Sequence, residues 1–343
     1  MLVGAACIWL LFVAVMELRL FARGFKPTIV DSDRLWMVER RRAADLGERA
    51  LIVVGGSRAQ LSLDLETLRR RTGKIPVQLA IDGSSFMPVL KGLAEDPGVV
   101  GTVLVDYTDH VIAEPDRRDE ADRLEALYER RGARLRVPDF QTTEAILGDL
   151  LHDHLRSYAD GARPLTSLLV RILQPGATPQ YIVTLPDRSR LADYRRVAMP
   201  GFYYGRVLRN LGQDVPMVPG SSWADLDAEI RKRVDRIAPV ESPAFLDNSR
   251  RIAGWARAIE ARGGRVIFFV PPMSGLVRAI NDKEFPRERY WDPFAKIVGG
   301  HASHFEDVPA MASLVCPDGS HLDYRDRARY TDALVTALSA WLR

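Results

Sequence analysis

Ser57 and His321 are the side chains whose surroundings best suggest nucleophilic chemistry in this sequence. Ser57 ends an apolar, β-branched run and directly follows Gly55 and Gly56. Two glycines permit a tight turn and the close approach of a substrate. A helix that begins at this serine would also offer unpaired amides to a developing oxyanion. A serine that only caps a helix has the same surroundings, so this motif alone leaves both interpretations open.

A serine nucleophile needs a base, and His321 is the best placed of the six histidines. It follows Asp318 by three residues in a turn rich in proline and glycine, so the carboxylate can reach one imidazole nitrogen. The other nitrogen is then free to take the Ser57 proton. The same spacing also occurs in capped turns and in pairs of metal ligands. His110 could line the mouth of the site, whereas we expect loop or solvent-exposed roles for His152, His154, His301 and His304.

The segments around these residues follow the order of a parallel α/β sheet. Apolar runs at 50–54, 77–81 and 99–105 alternate with helical patterns at 58–71 and 86–93. This alternation predicts parallel strands joined by crossover helices. The pattern returns near the C-terminus, with a strand at 265–270, a short last strand at 304–308 and a closing helix at 325–342. Ligands bind beyond the carboxyl ends of such strands, where both chemical motifs fall.

The predicted fold is a flavodoxin-like parallel sheet of about five strands flanked by helices. We expect one domain over residues 50–343, interrupted at 110–240 by a large, mostly helical insertion. Residues 23–49 form a charged lead-in to that domain. The sequence contains no internal repeat and no low-complexity tract.

Residues 1–22 are apolar enough to predict a transmembrane anchor. No charge occurs before Glu17, and the run is sufficient for one span if Glu17 and Arg19 reach the interface. A buried N-terminal helix is the alternative, while a cleaved signal peptide is less attractive because no basic stretch precedes the run. Arg23 and Lys26 follow the run, so the positive charges alone predict that the domain stays in the cytoplasm.

The composition is that of an ordinary globular chain. Of 343 residues, 47% are hydrophobic and 27% are charged, which excludes collagen, coiled coil and wholesale disorder. A net charge of +3, with basic residues spread along the chain, gives no nucleic-acid footprint. The two cysteines, Cys7 and Cys316, exclude a disulfide scaffold and a four-cysteine zinc site. We therefore expect no cofactor, no metal and no nucleic-acid partner.

Three segments together resemble the SGNH (GDSL-like) hydrolase superfamily. More narrowly, they resemble its membrane-anchored branch, related to DltD and to the alginate and peptidoglycan O-acetyltransferases. Residues 53–60 are similar to the first block with its nucleophilic serine, and residues 80–85 to the second block with its oxyanion-hole glycine. Residues 316–323 are similar to the last, D-x-x-H block, and residues 268–273 to the strand end before it. The resemblance covers 50–108 and 245–343.

This resemblance implies an esterase or O-acyltransferase with Ser57 as nucleophile, His321 as base and Asp318 as its carboxylate partner. The amides of Ser57 and Gly83 would form the oxyanion hole. The anchored members of this superfamily place the domain outside the cytoplasmic membrane. We therefore expect a periplasmic or extracellular domain here, although the positive charges after the apolar run favour the cytoplasm. The implied substrate is an acylated envelope or exported polysaccharide, and an implied partner is a membrane acyltransferase.

The sequence departs from the family pattern in its third block. An asparagine normally contributes to the oxyanion hole there, but residues 106–110 contain none. Thr108 or a backbone amide could replace it. The missing asparagine keeps open a non-catalytic polysaccharide-binding or assembly protein that retains the fold. A cytosolic esterase with a buried N-terminal helix is a further alternative.

Overall fold

A parallel five-stranded sheet forms the centre of the computed structural model, which describes residues 2–114, 120–131, 151, 154–157, 178–212 and 222–342. The sheet strands are β1 (Ala50–Val54), β2 (Ile75–Gln78), β3 (Thr102–Asp106), β6 (Arg265–Val270) and β7 (Ala302–His304). Their order across the sheet is β2-β1-β3-β6-β7, and every neighbouring pair is parallel. A separate antiparallel hairpin consists of β4 (Ile182–Thr184) and β5 (Arg190–Ala192). The predicted α/β class with a parallel sheet of five strands is confirmed.

Helices flank the sheet and account for most of the remaining described residues. The α-helices are Leu2–Ala22, Asp33–Asp45, Ser57–Ser62, Leu65–Thr72, Met87–Glu95, Asp109–Ala113, Glu120–Arg131, Gly201–Asn210, Trp223–Val234, Phe245–Glu260, Gly275–Glu284, Trp291–Ile297, Pro309–Ala312, Arg327–Ala337 and Ser339–Leu342. Short 3₁₀ turns lie at Gly47–Arg49, Tyr194–Arg196 and Phe305–Asp307.

The core is densest around β1 and β3, which occupy neighbouring positions inside the sheet. All five residues of β1 are fully buried, as expected for a strand that is covered on both faces. Val53 of β1 lies beside Leu104 of β3, and Val105 of β3 lies beside Phe268 of β6. Because the strands are parallel, their carboxyl ends meet at one edge, which is where Ser57 and the 106–110 loop emerge.

Some predicted boundaries differ from the structure for local reasons. The single helix expected at 58–71 is two helices, because the Asp64 side chain accepts a hydrogen bond from the Thr67 amide and caps a second helix. The last strand is earlier than predicted and ends at His304. Its Nδ1 accepts a hydrogen bond from the Glu306 amide, which turns the chain into a 3₁₀ turn.

The helix Leu2–Ala22 is long and apolar enough to cross a membrane, judged by length and composition. Most of its large side chains are exposed, among them Leu10, Leu11 and Leu18, whereas Met16 and Leu20 are buried. A helix in the core of a soluble protein would bury most of these side chains instead.

The lead-in after this helix is bound to the β4–β5 hairpin. The Ile29 amide donates to the Thr184 carbonyl at 3.1 Å, and the Thr184 amide donates to Thr28 Oγ1 at 2.9 Å. Much of the insertion predicted at 110–240, including His152, lies outside the described residues. Its described parts contain the hairpin and three complete α-helices, and the helix Asp109–Ala113 lies at its start.

Candidate active site

Ser57, His321 and Asp318 lie in one line of hydrogen bonds. Ser57 Oγ is 2.8 Å from His321 Nε2, although the two residues are 264 positions apart. His321 Nδ1 is 2.7 Å from Asp318 Oδ2. Asp318 and His321 are buried, and Ser57 is half-buried at the carboxyl edge of the sheet. The structure therefore brings together the hydroxyl, imidazole and carboxylate that a serine acyl-transfer site requires.

The turn that holds His321 is organised by Asp318 itself. Asp318 Oδ1 accepts hydrogen bonds from the amides of Ser320 at 3.0 Å and of His321 at 2.8 Å. Gly319 sits at the centre of this turn with a φ of +90°, a conformation that favours glycine. One carboxylate thus fixes both the backbone of the turn and the imidazole.

Asp318 is held in its ionised form. Burial alone would raise the pKa of this carboxyl, but the hydrogen bond and charge of His321, the Ser320 amide and the charge of Arg206 lower it to about 2. An ionised carboxylate accepts the Nδ1 proton and leaves Nε2 as the acceptor for the Ser57 hydroxyl. The imidazole is thus oriented for proton abstraction.

Ser57 begins the helix Ser57–Ser62, directly after the tight turn that leaves β1. Gly55 in this turn has a φ of +154°, and a Cβ built on it would lie 2.5 Å from the Asp106 Cβ. The backbone therefore passes the end of β3 at a separation that a side chain at position 55 would prevent. This close approach directs Ser57 away from the sheet edge and toward His321.

Gly83 lies in a turn that touches the one before Ser57. The Ile81 amide donates to the Gly55 carbonyl at 2.9 Å, and the Ser84 amide closes the turn onto Ile81. Gly83 has a φ of +70° and is exposed. Among the described residues, no backbone carbonyl accepts from its amide. The Gly83 amide thus lies in an exposed turn that is hydrogen-bonded to the turn before Ser57.

Arg58 organises residues 106–110 at the end of β3, a segment that contains no asparagine. Its Nη2 lies 2.9 Å from Asp106 Oδ1, 2.5 Å from the Tyr107 carbonyl oxygen and 2.8 Å from Thr108 Oγ1, so its two N–H groups are shared among three acceptors. Asp106 is buried beneath the Ser57 turn and paired with Arg58, so it is not positioned as an oxyanion donor. Thr108 is half-exposed, and because its oxygen accepts from Arg58, its own proton can be donated elsewhere.

Two residues of the 178–212 region reach the Asp318–His321 pair, and the sequence did not single out either one. Arg206 Nη2 donates to Ser320 Oγ at 2.8 Å, and this oxygen is 3.2 Å from His321 Nδ1. The Tyr194 hydroxyl faces Asp318, and burial together with this carboxylate raises the pKa of the tyrosine. Arg206 and Ser320 are 114 positions apart, and no local pattern announces the contact.

The other described histidines have surroundings unlike that of His321. His304 is bound within its own turn, and burial lowers its pKa to about 4. His301 lies beside Glu260, and His110 and His154 are exposed. Within the described ranges, no group of three or more His, Cys, Asp or Glu side chains is arranged to hold a metal ion.

No protein-family model and no curated protein sequence matches this chain.

Proposed function

We propose that this protein is a membrane-anchored SGNH-like serine esterase or O-acyltransferase. It acts on acyl esters, in the first place acetyl esters, of an envelope or exported polysaccharide. The supporting observation is the unbroken chain from Ser57 Oγ through His321 to Asp318, with separations of 2.8 and 2.7 Å. A serine that only caps a helix requires neither the imidazole nor the carboxylate behind it.

The reaction begins when Ser57 Oγ attacks the acyl carbonyl and His321 Nε2 takes its proton. The carbonyl oxygen becomes an oxyanion, which the Ser57 and Gly83 amides and the Thr108 hydroxyl stabilise. One such donor contributes about 3–4 kcal/mol in comparable sites. The C–O bond of the sugar ester then breaks, and the imidazolium returns the proton to the leaving alkoxide. Asp318 stabilises the imidazolium throughout.

The second half of the reaction releases the acyl group from Ser57. His321 deprotonates the incoming nucleophile, which attacks the acyl-enzyme and restores the free serine. Water as the nucleophile gives an esterase, and a sugar hydroxyl gives a transferase. Two half-buried rings next to the buried Tyr194 favour a glycan, because they leave apolar surface for a sugar: the ring centroids of Tyr181 and Phe202 are 5.3 Å apart.

The apolar helix Leu2–Ala22 would make the protein a single-pass membrane protein. Following the resemblance, we place the domain on the periplasmic or extracellular side, where acylated envelope glycans occur. A membrane acyltransferase could then deliver the acyl group to Ser57. The segment between the helix and β1 would hold the domain at the membrane surface.

A non-catalytic polysaccharide-binding or assembly protein is the second candidate. One observation favours it: the asparagine that completes the oxyanion hole in the family is absent from the 106–110 loop. Such a protein would keep the glycan surface but show no reactive serine.

Labelling with a fluorophosphonate probe separates the two candidates. We expect the full-length wild type in detergent to label, and Ser57→Ala and His321→Ala to lose the label. Ser313→Ala, which removes an exposed serine distant in sequence from Ser57, serves as the matched control and should label like wild type. Equal labelling of Ser57→Ala and wild type would exclude Ser57 as nucleophile. An unlabelled but folded wild type that still binds acetylated glycan would favour the second candidate.

A further inference from the structure

We propose that the domain binds anionic lipid headgroups through a basic face around the end of the apolar helix, and so rests directly on the membrane surface. The inference depends on the membrane anchor of the proposed function and is independent of the reaction at Ser57. Six cations define the basic face: Arg23, Lys26, Arg156, Arg195, Arg196 and Arg325.

The apolar helix stays exposed to its last turn on one side. Leu18 and Phe21 are 67% and 65% exposed, although both are large apolar side chains. Arg19, which lies between them in the chain, is also exposed, and its long side chain can extend to lipid headgroups. A membrane that covers Leu18 and Phe21 must therefore reach the end of the helix.

The other side of the same turns is packed on the domain. Met16 and Leu20, four residues apart on one face of the helix, are only 7% and 2% exposed. Met16 precedes the end of the helix at Ala22 by six residues, or about 9 Å along the helix axis. The domain thus overlaps a stretch of helix that lipid covers from the opposite side, so this part of the domain lies at headgroup depth.

Glu17 shows how the overlap is built. Its carboxylate accepts the amide of Arg156 at 2.9 Å and the amide of Ser157 at 2.7 Å. Arg156 Nε donates to the Phe25 carbonyl at 3.1 Å, and the guanidinium lies 5.0 Å from the centre of the Phe21 ring. The domain therefore binds the one acidic side chain of the apolar helix and brings Arg156 to the level of its last turn.

Further cations are fixed around the chain that leaves the helix. Arg196 Nη2 donates to the Gly24 carbonyl at 3.1 Å. Lys26 Nζ lies 5.1 Å from the centre of the Tyr324 ring, and Arg195 Nη2 donates to the hydroxyl of the same tyrosine at 3.2 Å. Lys26, Arg196 and Tyr324 also line one shallow recess. These contacts gather the cations at the point where the helix enters the domain.

The protein balances only part of this positive charge. The carboxylates paired with the basic face in the described ranges are Glu17, Asp193 and Asp323. Six cations and three carboxylates leave an excess of three positive charges, which equals the net charge of all 343 residues. The side chains of Arg195 and Arg325 are 57% and 50% exposed. Exposed cations at a membrane surface attract anionic lipid over about a Debye length.

A lipid surface fits this face because cations and apolar side chains lie side by side. Tyr324 lies between Lys26 and Arg195, and tyrosine is enriched at membrane–water interfaces. A soluble polyanion could bind the cations, but it would leave Leu18 and Phe21 in water. Lipid headgroups above an acyl layer satisfy both kinds of side chain.

Native mass spectrometry of the full-length chain in a neutral detergent tests the binding. Phosphatidylglycerol and phosphatidylcholine with the same acyl chains are added, and the bound lipids are counted. We expect wild type to bind phosphatidylglycerol about 10- to 100-fold more tightly. The preference should decrease at about 0.5 M salt, because the exposed charges are then screened. Equal affinity for the two lipids would overturn the proposal.

Two triple variants with the same change of net charge assign the preference to the basic face. Lys26→Gln, Arg195→Gln and Arg325→Gln together should bring the ratio of the two affinities close to one. The control removes exposed cations from the helices Phe245–Glu260 and Trp291–Ile297, which lead into β6 and β7: Arg250→Gln, Arg257→Gln and Lys296→Gln. The control should keep the wild-type ratio. Equal ratios in the two triple variants would exclude the basic face as the binding surface.

Hydrogen exchange in lipid nanodiscs tests whether the domain rests on the bilayer. Full-length wild type is compared in discs of phosphatidylcholine alone and in discs that also contain phosphatidylglycerol. Backbone amides of residues 192–197 and 322–327 should exchange at least about threefold more slowly in the anionic discs. Amides of residues 250–258 should exchange alike in both. Unchanged exchange at 192–197 and 322–327 would contradict the proposed contact with lipid.

Fluorophosphonate labelling separates this inference from the proposed reaction. The basic-face triple variant should label like wild type in neutral detergent, because it keeps Ser57, His321 and Asp318. A wild type that prefers phosphatidylglycerol but never labels would reject the reaction and keep the basic face. A wild type that labels but binds both lipids equally would reject the basic face and keep the reaction. Release of the full-length chain from membranes by alkaline carbonate without detergent would reject the anchor, and the basic face with it.

Discussion

At the scale of single residues, Asp318 determines the state of the candidate site. Its two oxygens have different tasks: Oδ1 accepts two backbone amides, and Oδ2 accepts the His321 Nδ1 proton. An asparagine at position 318 could still accept the two backbone amides through its side-chain oxygen. Its side-chain N–H, however, would face the imidazole and favour the tautomer whose Nε2 is already protonated.

Asp318→Asn should therefore lower kcat for ester cleavage about 10³- to 10⁴-fold, with the fold retained. Because the pKa of Asp318 is about 2, wild type should keep this carboxylate ionised throughout the assay and should not show the same loss between pH 5 and 9. Initial rates between pH 5 and 9, with circular dichroism as the folding check, measure the effect. Asp307→Asn, which removes a half-exposed ion-pair carboxylate, is the control and should retain the wild-type rate. Comparable rates in the two variants would remove Asp318 from the mechanism.

Substitution of Gly55 tests the turn before Ser57 rather than the reaction of the serine. A methyl group at this position meets the Asp106 Cβ at 2.5 Å in a backbone conformation that L residues rarely adopt. Gly55→Ala should lower the free energy of unfolding by about 2–4 kcal/mol and abolish fluorophosphonate labelling.

Gly73→Ala is the matched comparison. It also has a positive φ, of +69°, but a Cβ there would have nothing within 4 Å. The expected loss is about 1 kcal/mol, with labelling retained. Urea unfolding of both variants measures the difference. Equal stability of the two would show that the contact with Asp106 relaxes without cost.

At the scale of elements, the sequence predicted those features that depend on local patterns. The buried β-branched run of β1 and the two glycines before Ser57 mark a strand end and a helix start, and the structure has both. The apolar periodicity of residues 58–71 predicted one helix, but the structure has two. The Asp64 side chain caps the second helix and so divides the pattern.

Apart from the contact of Ser57 with His321, contacts between distant elements could not be predicted from the sequence. The placement of Arg206 against Ser320 depends on how the helix Gly201–Asn210 packs on the domain, and no spacing within either segment encodes it. Arg58 was visible as the neighbour of Ser57, but its three acceptors at the end of β3 follow only from the sheet order β1–β3. The contacts of the 106–110 loop could therefore not be read from its own sequence alone.

The stability of the protein should depend on pH through Glu125, a residue of the helix Glu120–Arg131. This side chain is buried, with Arg40 Nε at 3.2 Å from Oε1, and burial raises its pKa to about 7 despite Arg40. In the folded protein the carboxyl keeps its proton at pH values where the unfolded chain has lost it. The stabilising contribution is thus complete below the ordinary pKa of about 4.5 and is lost as the pH rises through about 7.

Glu125→Gln removes this titration. Between pH 5 and pH 8, the free energy of unfolding should fall less in the variant than in wild type, by about 1–3 kcal/mol. Urea midpoints at the two pH values give the slope. Glu66→Gln makes the same substitution at an exposed position of the helix Leu65–Thr72 and should keep the wild-type slope. Parallel slopes for Glu125→Gln and wild type would contradict the assignment.

At the scale of the whole molecule, the apolar helix is tied to the candidate site through the hairpin. Arg196 Nη2 donates to the Gly24 carbonyl at 3.1 Å, and Gln180 donates to the Lys26 carbonyl at 3.0 Å. Tyr194, which faces Asp318, is two residues from Arg196. The end of the helix and the Asp318 carboxylate are therefore about 30 Å apart or less, given about 3.8 Å per residue and two long side chains.

Which side of the membrane holds the domain can be tested with the cysteines of this chain. The positive charges at Arg19, Arg23 and Lys26 alone would keep the domain in the cytoplasm, whereas an envelope glycan requires the opposite side. Cys316 is buried, and burial raises its pKa to about 12, so its thiol should not react in the folded protein. Cys7 lies in the apolar helix and is replaced by serine to remove any background.

Ser313→Cys on this Cys7→Ser background places one reactive thiol on the exposed surface of the domain. A membrane-impermeant maleimide should label it in intact cells, and the parent without Ser313→Cys should stay unlabelled before and after lysis. Labelling only after lysis would place the domain in the cytoplasm, as the charges alone predict. An envelope substrate would then be excluded whatever the reactivity of Ser57, because polymer and hydroxyl would lie on opposite sides of the bilayer.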